Sequence, residues 1–242
     1  MSDQFTRMKL VVGQQAFDIL RNSTVAVFGV GGVGGSCVEA LARSGVGKLV
    51  LIDNDVVSLT NINRQMVATL DTVGRPKVDV AKDRVHSIDD TIQVETLQKF
   101  YLPENRDEFD FSQYDYIVDA IDTVSAKIDI IVRAKEMQIP ILSSMGAGNR
   151  LDPSQLYYTD LFQTTNDPLA RVMRRELRKR YITSLDVVCS KELPSKVQVL
   201  SEEGEAIPQG KRSIPGSTAF VPPAAGLLIA SKVVRDLIER GK

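Results

Sequence analysis

Short runs of β-branched and aliphatic residues alternate with longer stretches of amphipathic spacing over the first 150 residues. Thr24 to Val30, Lys48 to Asp53, Thr91 to Leu97, Tyr114 to Ile121 and Pro140 to Met145 read as strands. Between them, Gly35 to Ser44, Pro76 to Ile88 and Ser125 to Gln138 carry helical periodicity and are long enough to cross from one parallel strand to the next. One helix over Lys9 to Arg21 precedes the first strand. Beyond Asn149 the pattern predicts a strand at Gln155 to Leu161 and a basic helix from Asp167 to Arg180. Two short strands near Asp186 and Val197 and a last helix from Ala224 to Arg240 follow. Gly204, Pro208, Gly210, Pro215 and Gly216 mark a loop-rich connection before that helix. The alternation predicts an α/β protein with a Rossmann-like, doubly wound, mostly parallel sheet and a C-terminal α+β extension of the same domain. The expected organisation is one domain, with residues 1–150 as the nucleotide-binding half and 151–242 as a substrate-side and dimer-contact extension.

Composition narrows the class without changing the fold. Hydrophobic residues make up 43% and charged residues 25% of 242 positions, so the chain can bury a core. The net charge of -1 excludes a uniformly basic protein but not a local basic patch. Two distant cysteines, Cys37 and Cys189, cannot make a disulfide framework, and no C-x-x-C pair is present to hold zinc. The N-terminus lacks an apolar signal core, and the longest apolar stretch, Ala219 to Ala230, is interrupted by Pro222 and Pro223. A cytoplasmic protein with no membrane association is expected.

The chemistry concentrates after the first strand. Gly29-Val30-Gly31-Gly32-Val33-Gly34 matches G-x-G-x-x-G between a strand and a helix. The first glycine permits the turn, the second lets phosphate approach the backbone and the third lets helix pack on strand. Asp53 ends the second strand about 20 residues on, where a carboxylate can accept hydrogen bonds from ribose hydroxyls. To this point NAD and ATP fit equally well. An array containing Asp55, Asn61, Arg64, Gln65 and Lys77 follows, with cations that hydride transfer does not require. Lys77 beside Pro76 places a positive charge at the positive end of a helix dipole, a penalty that phosphate would cancel. Asp122, at the end of the fourth strand, is the candidate for holding Mg²⁺, and Asp119 is expected to be buried.

GVGGVG, IDND, NINRQ, RPK and DAIDT, in this order across residues 25 to 125, resemble the ubiquitin-activating-enzyme superfamily and its bacterial adenylylating members. The resemblance implies that the glycine turn and Asp53 hold ATP, that Arg64, Gln65 and Lys77 face its phosphates, and that Asp122 binds magnesium. Thr123 departs from the Asn that many relatives carry. QFTR, ALARSGVGKLVLID, SMGAGNRLDPSQ, DPLARVMRREL and VVCSKE extend the likeness to the group that dehydrates threonylcarbamoyladenosine in tRNA. That group implies a homodimer in which Arg7 reaches the partner's ATP, with sulfur-transfer or sulfur-acceptor proteins as possible further partners.

Arg171, Arg174, Arg175 and Arg178 fall on one face of the predicted basic helix, where tRNA phosphates would relieve their repulsion. A solvated face paired to Glu176 is the plainer alternative. Cys189 sits in an apolar run and is expected to be structural. Asn149, Arg150 and Asp152 either contact substrate or belong to an ordinary loop. Three rival functions remain: an enzyme that adenylylates a ubiquitin-like sulfur carrier, an NAD-dependent oxidoreductase, and a nucleotide-binding scaffold without turnover.

Overall fold

The computed structural model describes residues 3–196 and 215–241. The expected strand near Val197 and the glycines and prolines from Gly204 to Gly210 lie outside the described residues.

Among the described residues, seven strands form one sheet in the order β3-β2-β1-β4-β5-β7-β6. They are β1 (Thr24–Phe28), β2 (Lys48–Ile52), β3 (Gln93–Leu97), β4 (Tyr116–Asp119), β5 (Ile141–Ser144), β6 (Leu156–Asp160) and β7 (Asp186–Ser190). All neighbours pair in parallel except β6, which runs antiparallel to β7 at the edge. The helices are α1 (Thr6–Val12), α2 (Gln14–Arg21), α3 (Gly32–Arg43), α4 (Lys77–Ile88), α5 (Val124–Glu136), α6 (Pro168–Arg178) and α7 (Val221–Arg240).

Strand alternation distributes the core over two faces. Val25 and Val27 of β1 join Leu49 and Leu51 of β2 beneath α3, α4 and α7. Ala26, Phe28, Val50 and Ile52 point the other way, onto α5, α6 and an aromatic group of Tyr101, Phe109 and Phe111. Near-continuous apolar strands are what two-sided burial demands. The strand order reverses at β1, which has β2 on one side and β4 on the other, so the carboxyl ends of β1 and β4 flank the switch point where open α/β sheets bind ligands.

Two expected helix boundaries are corrected. The first helix is two helices, because Gly13 takes a positive φ of 85° that no periodicity reveals. The last begins three residues early, at Val221, since both prolines fall in its first turn, where a missing N–H breaks no hydrogen bond.

Among the described residues, one charged pair has no exposed side-chain surface at all. Lys127 of α5 and Asp119 of β4 are both 0% exposed, with Nζ to Oδ2 at 2.9 Å. Ser143 donates to the same carboxylate at 2.5 Å, and Lys127 donates to the carbonyls of Ser144 at 2.9 Å and Ile121 at 3.2 Å. The ammonium thus ties together the carboxyl ends of β4 and β5. Lys127→Met should destabilise the fold by about 3–5 kcal/mol in urea unfolding, because Asp119 is left charged and buried alone. Adding Asp119→Leu should recover most of that loss; a double variant no more stable than the single one would contradict it.

Candidate active site

The glycine turn has the geometry its spacing implies. Gly29 leaves β1 with a φ of 89°, and a Cβ there would lie 2.7 Å from the carbonyl oxygen of Ala120, the residue after β4. At Gly34 a Cβ would lie 1.8 Å from the Gly29 carbonyl oxygen, so only glycine lets α3 start against the strand. Gly31 differs: the nearest atom to a Cβ there is Gln65 Nε2 at 3.8 Å, which leaves the backbone open on that side. No side chain caps the start of α3, so its first amide groups are available to an anion. Gly32 lies under Arg64, whose Cγ would be 3.4 Å from a Cβ at that position. The helix starts at Gly32 rather than Gly35, which places two of the four motif glycines, Gly32 and Gly34, inside it and Gly31 at its cap.

Asp53 is positioned by the turn itself. Its Oδ2 accepts from Val30 N at 2.7 Å and its Oδ1 from Asp55 N at 2.9 Å. Each carboxylate oxygen retains acceptor capacity for a hydroxyl. Burial pushes the Asp53 carboxyl above the usual aspartate range, against the pull of nearby Lys77.

Lys77 is 5% exposed, which excludes a solvated surface lysine. Its Nζ lies 2.7 Å from Asp55 Oδ2, and its backbone N donates to Asp55 O at 3.0 Å. Asp55 therefore answers the charge that the sequence assigned to phosphate, and it does so because the β2–α4 connection folds back on the start of α4. Asn61 is also used locally: its side chain accepts from Ser58 N at 3.2 Å within a short 3-10 turn. Arg64 donates to Thr60 O at 3.1 Å and to Asn63 Oδ1 at 2.9 Å, held beside the glycine turn. Gln65 is buried, and its Oε1 is the buried side-chain atom without a hydrogen-bond partner among the described residues. A buried amide left unsatisfied beside an open glycine costs about 1–3 kcal/mol and marks where a polar ligand would fit.

Asp122 is exposed in the β4–α5 connection, across the switch point from Gly29, and Lys127 fixes the carbonyl of the preceding residue, Ile121. Among the described residues no cluster of three or more acidic, histidine or cysteine side chains could hold a metal alone. Mg²⁺ commonly takes one or two carboxylates and completes its shell with phosphates and water, so a single Asp122 is compatible with it. Asp119, in contrast, is wholly buried, as strand alternation implies.

Away from the turn, the alternatives left open by the sequence resolve towards local structure, and the structural reading of Cys189 holds. Arg150 is 3% exposed and turned inward, with NH2 3.2 Å from Asp167 Oδ2, so it is structural. Asp167 caps α6 through Ala170 N at 2.9 Å and also accepts from Gly146 N at 3.0 Å. Asp152 accepts from Ser154 N at 2.9 Å in its own turn, and Asn149 clasps Gly216 through its side chain at 2.6 Å. Cys189 is buried in β7, where burial pushes its thiol up, so it is a poor acyl acceptor.

On α6, Arg174 turns to the carbonyl and hydroxyl of Thr164. Glu176 pairs with Arg175, Lys179 and Arg180, and hydrogen bonds from Lys179 and then Arg175 hold its carboxyl down to about 2. Arg178 lies over the Phe162 ring at 5.2 Å, and Arg171 is exposed. The four arginines are thus not equivalent: Arg174 is tied down, Arg175 is paired, and Arg171 and Arg178 meet no acid among the described residues. Arg7 is exposed on α1.

Lys127 and Asp167 are functional supports that the motifs did not single out. A lysine inside the apolar run Ala126 to Ile131 was the available signal for the first.

Known proteins share this arrangement. The tRNA threonylcarbamoyladenosine dehydratase of Bacillus subtilis is 43% identical over 244 residues, spanning 99% of this chain and 96% of that protein. Its Escherichia coli counterpart is 38% identical over 169 residues, covering 70% of this chain and 63% of that protein. The crystal structure of E. coli tRNA N6-threonylcarbamoyladenosine dehydratase in complex with AMP superposes with a TM-score of 0.88 at 31% identity, covering 98% of this chain and 94% of that one. The same enzyme in complex with ATP gives 0.86 at 30% identity, with the same coverage. The sequence profile of the ThiF family matches residues 3–237, which includes every element from α1 to most of α7. The resemblance carried by the glycine turn, NINRQ and RPK thus extends along the chain, which belongs to the ThiF family.

Proposed function

We propose that this protein is an ATP-dependent enzyme that dehydrates threonylcarbamoyladenosine beside the anticodon of tRNA, closing the threonylcarbamoyl group into a ring. The observation that carries the reading is likeness along the whole chain to dehydratases of that name, one of them with ATP seated in the same fold. A carboxylate oxygen of the substrate attacks the α-phosphorus of ATP in line, and pyrophosphate leaves with its bonding electrons. A nucleophile within the same side chain then attacks the acyl carbon, loses a proton and expels AMP. The oxygen removed from the substrate leaves on AMP, so the nucleoside loses one water in total.

The turn amides at Gly31, Gly32 and Gly34, with Arg64, Gln65 and Lys77, hold the phosphates and stabilise the charge that grows on them, while Gly29, whose own N–H is bonded to Ile52 O at 2.7 Å, makes the turn. Asp53 takes the ribose hydroxyls, and Asp55 and Asn61 shape the segment that carries these groups. Asp122 is our candidate for binding Mg²⁺, which would offset phosphate charge. The α6 arginines, Arg171 and Arg178 foremost, contact tRNA backbone on the substrate side formed by residues 151–242. A homodimer is the assembly we favour. Arg7 shares α1 with Leu10 and Val11, which are 81% and 83% exposed, so this helix offers an apolar face and a cation to a second copy. No helix of the described residues is long and apolar enough to cross a membrane, and a tRNA substrate is consistent with a cytoplasmic site. Sulfur-transfer proteins are possible further partners on family grounds alone. A sulfur-carrier adenylyltransferase shares the ATP chemistry but has no use for the α6 cations, and an oxidoreductase leaves Arg64, Gln65 and Lys77 unexplained.

ATP–pyrophosphate exchange and AMP release, with and without tRNA bearing threonylcarbamoyladenosine, test the reading. AMP release that depends on this tRNA, with one water mass lost from the nucleoside, is expected. AMP release with a ubiquitin-like carrier instead would move the substrate to protein. Arg64→Ala should lower kcat by about 100-fold while ATP affinity changes much less; equal losses would remove Arg64 from the transition state. Arg171→Glu with Arg178→Glu should weaken tRNA binding and reduce the slope of log affinity against log salt by about two, and an unchanged slope would take α6 out of the interface.

A further inference from the structure

The end of α6 presents an aromatic ring to solvent within its basic stretch. Tyr181 is 93% exposed and has a φ of 59°. The turn around it is a Schellman motif: Ile182 N donates to Leu177 O at 3.1 Å and Tyr181 N to Arg178 O at 3.1 Å. The left-handed position of that motif is ordinarily glycine, because a Cβ there meets steric resistance. Neither the turn nor the core therefore asks for tyrosine. Its side chain has no hydrogen-bond, ion-pair or ring partner among the described residues. The same stretch, Arg171 to Tyr181, holds six cations and a single acid, Glu176. Three of the cations share that acid, which leaves a strong positive excess on the helix.

We propose that Tyr181 is a base-stacking platform for an unpaired nucleotide of the tRNA, at the end of the phosphate path marked by the α6 arginines. This inference rests on the tRNA reading above. An exposed ring among cations matches single-stranded RNA, whose bases stack on aromatics while arginines take the backbone. The position separates this base from the one modified. Asp167, at the start of α6, is bonded to Gly146 beyond the carboxyl end of β5, on the nucleotide side of the sheet. From there α6 runs 11 residues, about 16 Å at 1.5 Å per residue, towards the opposite edge, where Leu185 N donates to Asp160. Tyr181 therefore meets a base several nucleotides from the one modified and acts in recognition, outside the chemistry.

Two variants of the full-length protein test this against tRNA bearing threonylcarbamoyladenosine. Tyr181→Gly suits the turn, so Tm should hold or rise while Kd for the tRNA rises about tenfold. No charge changes, so the slope of log affinity against log salt should stay as in the unaltered protein. The chain contains no tryptophan, so Tyr181→Trp adds a unique fluorophore, and stacking should quench its emission as tRNA is added. Unchanged Kd in the glycine variant, or unquenched emission with tRNA bound, overturns the platform while the tRNA reading stands. A loss of affinity accompanied by a shallower salt slope assigns Tyr181 to phosphate placement and also overturns it. If the unaltered protein does not bind the tRNA, both readings fall.

Discussion

Three backbone carbonyls that leave no room for a side chain hold this site in place. The Ala120 oxygen stands 2.7 Å from where a Gly29 Cβ would be, the Gly29 oxygen 1.8 Å from a Gly34 Cβ, and the Val33 oxygen 2.2 Å from a Gly226 Cβ. Taken in order they stack β4, the turn after β1, α3 and α7 at spacings that side chains would prevent. The start of α3 is thereby fixed relative to both strands at the switch point. Its uncapped amides face the same side as Asp53, whose carboxylate is bonded into the turn through Val30 N. Loosening any of the three contacts would move the uncapped amides of α3 away from Asp53.

The charges around this frame are balanced before any ligand arrives. Lys77 is buried against Asp55, Lys127 against Asp119, and Arg150 against Asp167. Burying an unpaired ammonium or guanidinium would cost several kcal/mol, so a protein that must be folded before ATP binds supplies an acid for each. The consequence at Lys77 is that any phosphate brought to it would share the cation with Asp55, whose side chain is 56% exposed. Asp53 shows the opposite compromise. Its carboxyl is pushed up by burial, yet it keeps two backbone donors that favour its ionised form.

The strands and crossover helices were legible because each is buried on two faces or one, and apolar periodicity reports burial directly. The glycine turn was legible because its three spacings follow from backbone sterics alone. What the sequence concealed were pairings between distant residues. Nothing local says that Asp55 folds back to Lys77, 22 positions on, or that Arg150 turns inward to meet Asp167. The antiparallel setting of β6 was equally hidden, since an edge strand has the same alternation in either direction. The break at Gly13 escaped because glycine occurs inside helices as well as between them, and only its φ separates the cases. Repulsion among the α6 arginines was overstated for a related reason: a count of charges along a face cannot see that Thr164 takes Arg174 and Glu176 takes a neighbour.

The chain as a whole carries a net charge of -1, although the stretch from Arg171 to Tyr181 is strongly positive, so the rest of the molecule is net acidic. A uniformly basic surface would hold a polyanion in many orientations. A basic strip on a body of net negative charge favours the approaches that bring phosphate to the strip. The strip begins beside Gly146, at the edge of the sheet where the glycine turn, Arg64 and Asp122 converge, and leads away from it. An RNA aligned along α6 would present one end of its bound stretch to the nucleotide site. On the proposed reading, the orientation of an RNA substrate would thus be set by a helix whose start is anchored at the carboxyl edge of the sheet and whose end carries the exposed aromatic ring.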